Sequence, residues 1–259
     1  MLATMNFFST VQGMNSTMHV VLPDAYDANG CPAGRKDPCP VLYLLHDNGD
    51  NHTKWLRYTS VERYANQAGI AVVMPAVNQG LYADMAEGYN FFSFLTEELP
   101  RIIQRDFPKI SACPEDTFAA GAGIGGFGAL KWAFTKPGKI AAAASLSSYL
   151  EPQVMMALAE SDPVLYKKME RAWGPEDLVS QTENDLASLI AAAKAEGPLP
   201  KIWLGCTKSD PALFCNESFA KQYDETLDVT CCFEDGPEDH WSFWDRQIEK
   251  VISWLPIDR

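Results

Sequence analysis

A mostly parallel β-sheet flanked by helices, an α/β architecture, is the fold class that this 259-residue sequence predicts. Three observations predict it. Short apolar runs recur along the chain, separated by segments of helix length, which is the pattern of strands joined by crossover helices. One run, 117–121, enters a glycine-rich turn that opens directly into an apolar helix. No internal repeat or interdomain linker interrupts the series, so residues 1–259 read as a single domain.

The elements follow in order. Residues 17–22 (TMHVVL) read as an early strand ended by Pro23, and 24–39 as a turn-rich surface loop. Residues 40–46 (PVLYLLH) are apolar on both faces, as in a strand buried between two helix layers. A helix is expected over 59–68, capped by Thr59 or Ser60, with Val61, Tyr64 and Ala65 on one apolar stripe and Glu62 in the first turn, where the helix dipole favours a negative charge. A strand at 70–75, a helix near 90–105, a strand at 117–121, a helix at 127–134 and a strand at 139–147 come next. Residues 150–198 differ: they are helical, Met- and Glu-rich, broken at Pro152, Pro163 and Gly174–Pro175, and read as a small cap-like insertion over the sheet edge. Strands at 200–207 and 228–235 and a closing helix at 242–255 complete the chain.

Composition narrows the function. A formal charge of −13 opposes binding to nucleic acid or an anionic membrane. No stretch approaches the roughly 18 apolar residues that span a bilayer, and the N-terminal residues lack the basic and apolar regions of a signal peptide. A cytoplasmic location is the expectation. Seven cysteines at irregular spacing do not suggest a disulfide framework. Cys31 and Cys39 are placed for a bridge or a shared metal, but free thiols fit the cytosol better.

The turn after residue 121 supports two readings. Gly121, Gly123 and Gly126 spell the G-x-G-x-x-G of a dinucleotide site, with Glu151 downstream to hold a ribose. Gly121 and Gly125 are equally the flanking glycines of a nucleophile elbow, G-x-S-x-G, in which the central position is here Gly123.

Beyond these motifs, the chain resembles the esterase D group of α/β-hydrolases, which includes S-formylglutathione hydrolases, and within it the tributyrin-type carboxylesterases. The resemblance runs through NFFS (6–9), VVLP (20–23), YLLH (43–46), NHTKWLRYTSVERYA (51–65), AVVMPA (71–76), YADMAEG (82–88), EELP (97–100), GGFGALKWA (125–133), AAAASLS (141–147) and HWSFWDRQI (240–248). It implies an α/β-hydrolase fold with an eight-stranded sheet, and hydrolysis of short-chain acyl esters by a Ser-Asp-His triad without cofactor or metal. Carried across residue by residue, the nucleophile position falls on Gly123, which cannot be acylated. The acid falls on Asp210. Relatives carry His, one residue, then Trp; anchored on Trp241, that site holds Asp239, and His240 stands one residue late, facing either the site or solvent. Relatives follow the 40–46 strand with His-Gly, whereas this chain has His46-Asp47-Asn48, so a carboxylate enters the oxyanion loop; Ile124 supplies the second oxyanion N–H. His46 and His52 read as loop-fixing groups, and Ser145, Ser147 and Ser148 as too remote to substitute for the missing hydroxyl.

The resulting expectation is a pseudoenzyme that binds a small-molecule acyl ester or related ligand, in a pocket walled by Tyr82, Tyr89 or Phe92 and the cap. Self-association is expected from the relatives. Alternatives are a weak esterase in which His240 and Asp210 activate water, and a dinucleotide-binding oxidoreductase.

Overall fold

The structure is a computed structural model in which residues 1–25, 37–179, 182–236 and 239–257 are described. Its strands are β1 (Leu2–Ser9), β2 (Met14–Val21), β3 (Val41–Leu45), β4 (Ala71–Pro75), β5 (Thr117–Ala122), β6 (Ala142–Leu146), β7 (Lys201–Thr207) and β8 (Val229–Glu234). They form one eight-stranded sheet in the order β1-β2-β4-β3-β5-β6-β7-β8. β1 and β2 pair antiparallel, β2 pairs antiparallel with β4, and every pairing from β4 to β8 is parallel.

The helices are α1 (Lys54–Tyr58), α2 (Val61–Ala68), α3 (Phe91–Ser93), α4 (Leu99–Asp106), α5 (Ile124–Thr135), α6 (Pro152–Ala159), α7 (Pro163–Trp173), α8 (Glu176–Val179), α9 (Leu186–Glu196), α10 (Leu213–Tyr223) and α11 (His240–Trp254). A π-helical turn, Phe94–Glu98, joins α3 to α4. No helix among the described residues is long and apolar enough to cross a membrane.

Alternation within β3 shows why its whole run is apolar. Val41, Tyr43 and Leu45 enter one core layer with Phe127, Leu130 and Phe134 of α5. Leu42 and Leu44 enter the opposite layer with Val61 and Tyr64 of α2 and Phe243 and Ile248 of α11. A strand buried on both faces has no polar positions to spare. α5 is buried from Ile124 to Phe134, as expected of a helix without a polar stripe; α9 packs outside it.

The predicted strands all lie within two or three residues of their observed limits, and α2 buries Val61, Tyr64 and Ala65 as the stripe requires. Ser60 is its N-cap residue, but without a side-chain cap bond; instead its backbone N–H donates to Asp245 Oδ1 at 2.7 Å, tying α2 to α11. The expected loop at 24–39 lies mostly outside the described residues, as does Cys31 and hence any pairing with Cys39. Two expectations change. β1 was not expected; it forms a hairpin with β2, whose turn is clasped by the Glu98 carboxylate through Ser9 Oγ and Thr10 N–H. The 150–198 insertion covers the C-terminal ends of the central strands rather than the sheet edge, since Met155, Leu158, Leu165 and Met169 face the same cavity as the residues that follow β5, β6 and β7.

Candidate active site

Every chemistry-bearing group of interest follows the C-terminal end of a parallel strand: Asp47 after β3, Gly123 after β5, Ser147 after β6, Asp210 after β7 and His240 after β8. In open parallel sheets that is where ligands bind. All five line one cavity of about 410 Å³.

Gly123 stands at the turn from β5 to α5 with φ 53° and ψ −125°, a left-handed conformation that costs glycine little. The flanking glycines are there because chain passes close to chain. A β-carbon on Gly121 would overlap the carbonyl of Gly125, and one on Gly125 would come within 2.6 Å of the Leu45 oxygen and 2.7 Å of the His46 oxygen. This is the strained strand-to-helix bend of a nucleophile elbow. It does not suit a pyrophosphate: a β-carbon at Gly123 would overlap Oδ1 and Cγ of Asp47, so the space beside that glycine is already held by an anion. The dinucleotide reading fails on this point, and Glu151 is the N-cap residue of α6.

Asp47 is therefore turned inward. Its Oδ1 accepts the backbone N–H of Ile124 at 2.9 Å. Burial raises its carboxyl above the ordinary range, and the N–H groups of Ile124 and Asn48 and nearby His240 oppose that rise. The Ile124 N–H, the second expected oxyanion donor, is thus engaged by a resident carboxylate. The carboxylate expected in the oxyanion loop sits on one of the hole's own donors. Lys168 of α7 donates to Asn48 Oδ1, and its ammonium is lowered by burial and raised by Asp47.

His46 holds this loop from below. It is 1% exposed, its Nδ1 lies 2.8 Å from the Asp47 carbonyl oxygen, and Nε2 accepts the Val77 N–H at 3.2 Å, so Nδ1 carries the proton. Burial lowers its pKa. His52 packs edge-on against His19 with ring centroids 4.7 Å apart; burial and the neighbouring histidines push it down to about 4. His46 is a loop-fixing group, as expected, whereas the buried His52 Nδ1 has no hydrogen-bond partner and the ring is held by packing.

His240 is the first residue of α11, and its imidazole faces the cavity while remaining exposed. Trp244 lies beneath it at 5.5 Å, in a cluster with Trp241 and Trp55. Asp239, at the position where the resemblance implies histidine, is the N-cap of α11 and accepts the Ser242 N–H at 2.8 Å. The one-residue slip has a physical basis: capping the helix takes the first position, and the imidazole takes the next. Asp210 does not orient this histidine. Among the described residues no hydrogen bond joins them; Asp210 accepts the Ala212 N–H at 2.8 Å and the Cys206 thiol, which burial and Asp210 push up to about 12.

The serines also differ from expectation. Ser147 lines the same cavity as Gly123, with φ 52°. Its buried Oγ, like that of Ser145, has no hydrogen-bond partner. Ser148 Oγ donates to the Gly123 carbonyl at 2.5 Å. The aromatic residues of the cavity wall are not the expected ones but Tyr149 and Trp244, beside an aliphatic face. Tyr82 is buried with its hydroxyl on the His46 carbonyl, Phe92 lies under the Lys131 ammonium, and Tyr89 is half exposed; Leu81, Met155, Leu158, Ala159, Leu165 and Met169 supply the apolar surface. Lys168 belongs to no spaced motif and carries no signal in the sequence, whereas Ser147, read there as too remote, is brought to the cavity by the end of β6.

Sheet order, elbow and strand-end site together define an α/β-hydrolase. A family model described as "Putative esterase" matches residues 9–230, and the chain belongs to that esterase family, in the group containing S-formylglutathione hydrolases. It is 26% identical to an acetyl esterase of Caldicellulosiruptor saccharolyticus over 96% of each chain. Among solved structures it is similar to FphF, a fluorophosphonate-binding serine hydrolase of Staphylococcus aureus, with 32% identity, a TM-score of 0.87, and coverage of 100% of this chain and 99% of that one. The S-formylglutathione hydrolase FrmB of Staphylococcus aureus matches at 31% identity and a TM-score of 0.83, over 98% and 99% of the two chains.

Proposed function

We propose that this esterase-family chain has lost serine-hydrolase activity and is a pseudoenzyme toward acyl esters, its cavity binding a small-molecule ligand. The observation that carries this reading is the Asp47 carboxylate lying where a side chain at Gly123 would lie. Glycine offers no oxygen to acylate, and the Ile124 N–H that would hold an oxyanion already holds an anion. Electrostatic stabilisation of the oxyanion is usually the largest single contribution in acyl transfer, so both halves of the reaction are impaired together. The apolar cavity under α6 and α7, with a few polar groups converging at its head, supports ligand binding. Exposed free thiols at Cys113 and Cys231 support a reducing, cytoplasmic setting.

A second route, water activated by a His240–Asp210 pair, is disfavoured by the engagement of Asp210 with Ala212 and Cys206. The test is a fluorophosphonate probe, with p-nitrophenyl acetate turnover measured alongside. No labelled serine and no hydrolysis above buffer are expected. A phosphonylated serine, with Ser147 the one to inspect first, or turnover at ordinary esterase rates would overturn the reading.

A further inference from the structure

We propose that the cavity is selective for a primary alkylammonium ion, whose charged head sits on the Asp47 carboxylate and whose unbranched tail lies on the aliphatic wall of the insertion. This rests on the reading of the cavity as a ligand site and adds the chemical class of the ligand. The charges around the cavity carry it. Asp47, Asp210 and His240 line the space, and no lysine or arginine does. Among the described residues the lysines and arginines pair with other carboxylates, and none is within ion-pair distance of Asp47 or Asp210. Lys168 gives its ammonium to Asn48 Oδ1 and lines a separate cavity with Lys167 and Arg171. Asp47 is held by backbone N–H groups alone, Ile124 on Oδ1 at 2.9 Å and Asn48 beside it. A carboxylate in a largely apolar space is costly without a cation. A ligand ammonium supplies the cation that the wall does not.

A second observation points to a ligand independently of charge. Two residues of the same wall leave a buried polar atom without a partner: Ser147 at Oγ and Trp244 at Nε1. Trp244 is 4% exposed. Unpaired polar atoms in a native wall call for a group from outside. A primary ammonium carries three N–H donors, enough to serve a carboxylate oxygen and a hydroxyl oxygen such as that of Ser147 together. The Tyr149 and Trp244 rings favour a cation over an anion. The tail has its own side of the cavity, where Met155 and Leu158 of α6 meet Leu165 and Met169 of α7.

Other heads of similar size fit less well. A fatty carboxylate would set an anion against Asp47, and the Ile124 N–H that could receive it is taken. A neutral ester brings only acceptors to a head that already holds a carboxylate. An alcohol can donate once, without charge, and charge-assisted hydrogen bonds are about twice as strong as neutral ones.

The test is calorimetric titration of the full chain at neutral pH, where an alkylamine is protonated, with hexylamine, hexanol and hexanoate as probes. Hexylamine should bind about tenfold more tightly than hexanol, and hexanoate most weakly. Asp47→Asn should weaken hexylamine about tenfold and leave hexanol within about twofold. Asp210→Asn should weaken hexylamine less, because Asp210 already accepts the Ala212 N–H and the Cys206 thiol. Leu165→Trp, which fills the tail side, should weaken amine and alcohol alike. Asp47→Asn keeps the shape of the side chain, and circular dichroism checks that each variant is folded. Hexanol or hexanoate binding as tightly as hexylamine, or equal losses in Asp47→Asn and Asp210→Asn, would overturn the proposal. If hexanol binds and hexylamine binds no better, the cavity remains a ligand site and only its choice of a cation fails. If none of the three binds, both readings of the cavity fall. Fluorophosphonate labelling reports separately on serine chemistry.

Discussion

The β5–α5 bend and the loops after β7 and β8 differ in what holds them, although all three line one cavity. The bend has the form of an elbow with Gly123 at its centre. Gly121 and Gly125 are fixed by backbone lying against backbone, with Leu45 and His46 of the neighbouring strand packed on them. The acid and base loops have no comparable constraint. Asp210 has turned to Ala212 and Cys206, and Asp239 has become a helix cap. The form of the bend is set by packing, whereas the side chains of the two loops are set by local hydrogen bonds.

The largest effect expected from this contrast is at the bend itself. Gly125→Ala would drive a methyl against two carbonyl oxygens that cannot swing aside, and should cost about 3 kcal/mol in urea unfolding. A cost near zero would mean that the bend is soft and that its form does not come from packing.

Next comes the attempt to rebuild the serine site. Gly123→Ser alone should give no esterase, because its β-carbon overlaps the Asp47 carboxylate. Paired with Asp47→Gly, which clears the space and frees the Ile124 N–H, it should raise p-nitrophenyl acetate hydrolysis about a hundredfold over the unmodified chain, the range a positioned general base supplies. Equal activity in the single and double variants would show that Asp47 does not block the elbow.

The same contrast explains what the sequence made legible. The buried strands were plain because helices cover both faces and leave continuous apolar runs; β3 was placed at 40–46 and is found at Val41–Leu45. β1 was missed because an edge strand shows solvent on alternate positions, and its outward residues blur the pattern. α1 is only five residues long, and α10 carries Asn216, Glu217 and Ser218 within its span, so neither shows a clean stripe. At the site, the glycine turn, Asp47 and His240 could be found by position, since each sits beside a recognisable strand or aromatic anchor. Side-chain direction could not. Whether Asp47 faces in or out depends on the room left by Gly123, 76 residues away along the chain, and Asp210 turns on a thiol that no motif includes.

A smaller effect should follow at the base loop. Asp239→Ala removes the acceptor of the Ser242 N–H and should cost about 1 kcal/mol. If capping is what places His240 at the second position, the same change should also loosen the imidazole, seen as narrowed line shape and reduced ring contact with Trp244 by NMR. Full retention of both stability and the ring contact would mean that the tryptophan cluster, and not the cap, holds the histidine.

The smallest effect concerns the cost of seating a carboxylate in the bend. Burial raises the Asp47 carboxyl above its unfolded value, with the Ile124 N–H opposing. A group whose pKa is higher in the folded state favours folding while protonated, and that contribution disappears as pH rises through the folded pKa. At neutral pH the ionised Asp47 therefore destabilises the native chain. Asp47→Asn keeps an oxygen for Ile124 and removes the charge, so it should unfold at a slightly higher temperature than the unmodified chain near pH 7. The gain should shrink as pH falls through the raised folded-state pKa toward the ordinary carboxyl range, as Asp47 becomes neutral by itself. A variant less stable at neutral pH would mean that the N–H contacts outweigh burial, and that the bend has come to favour the charge it now holds.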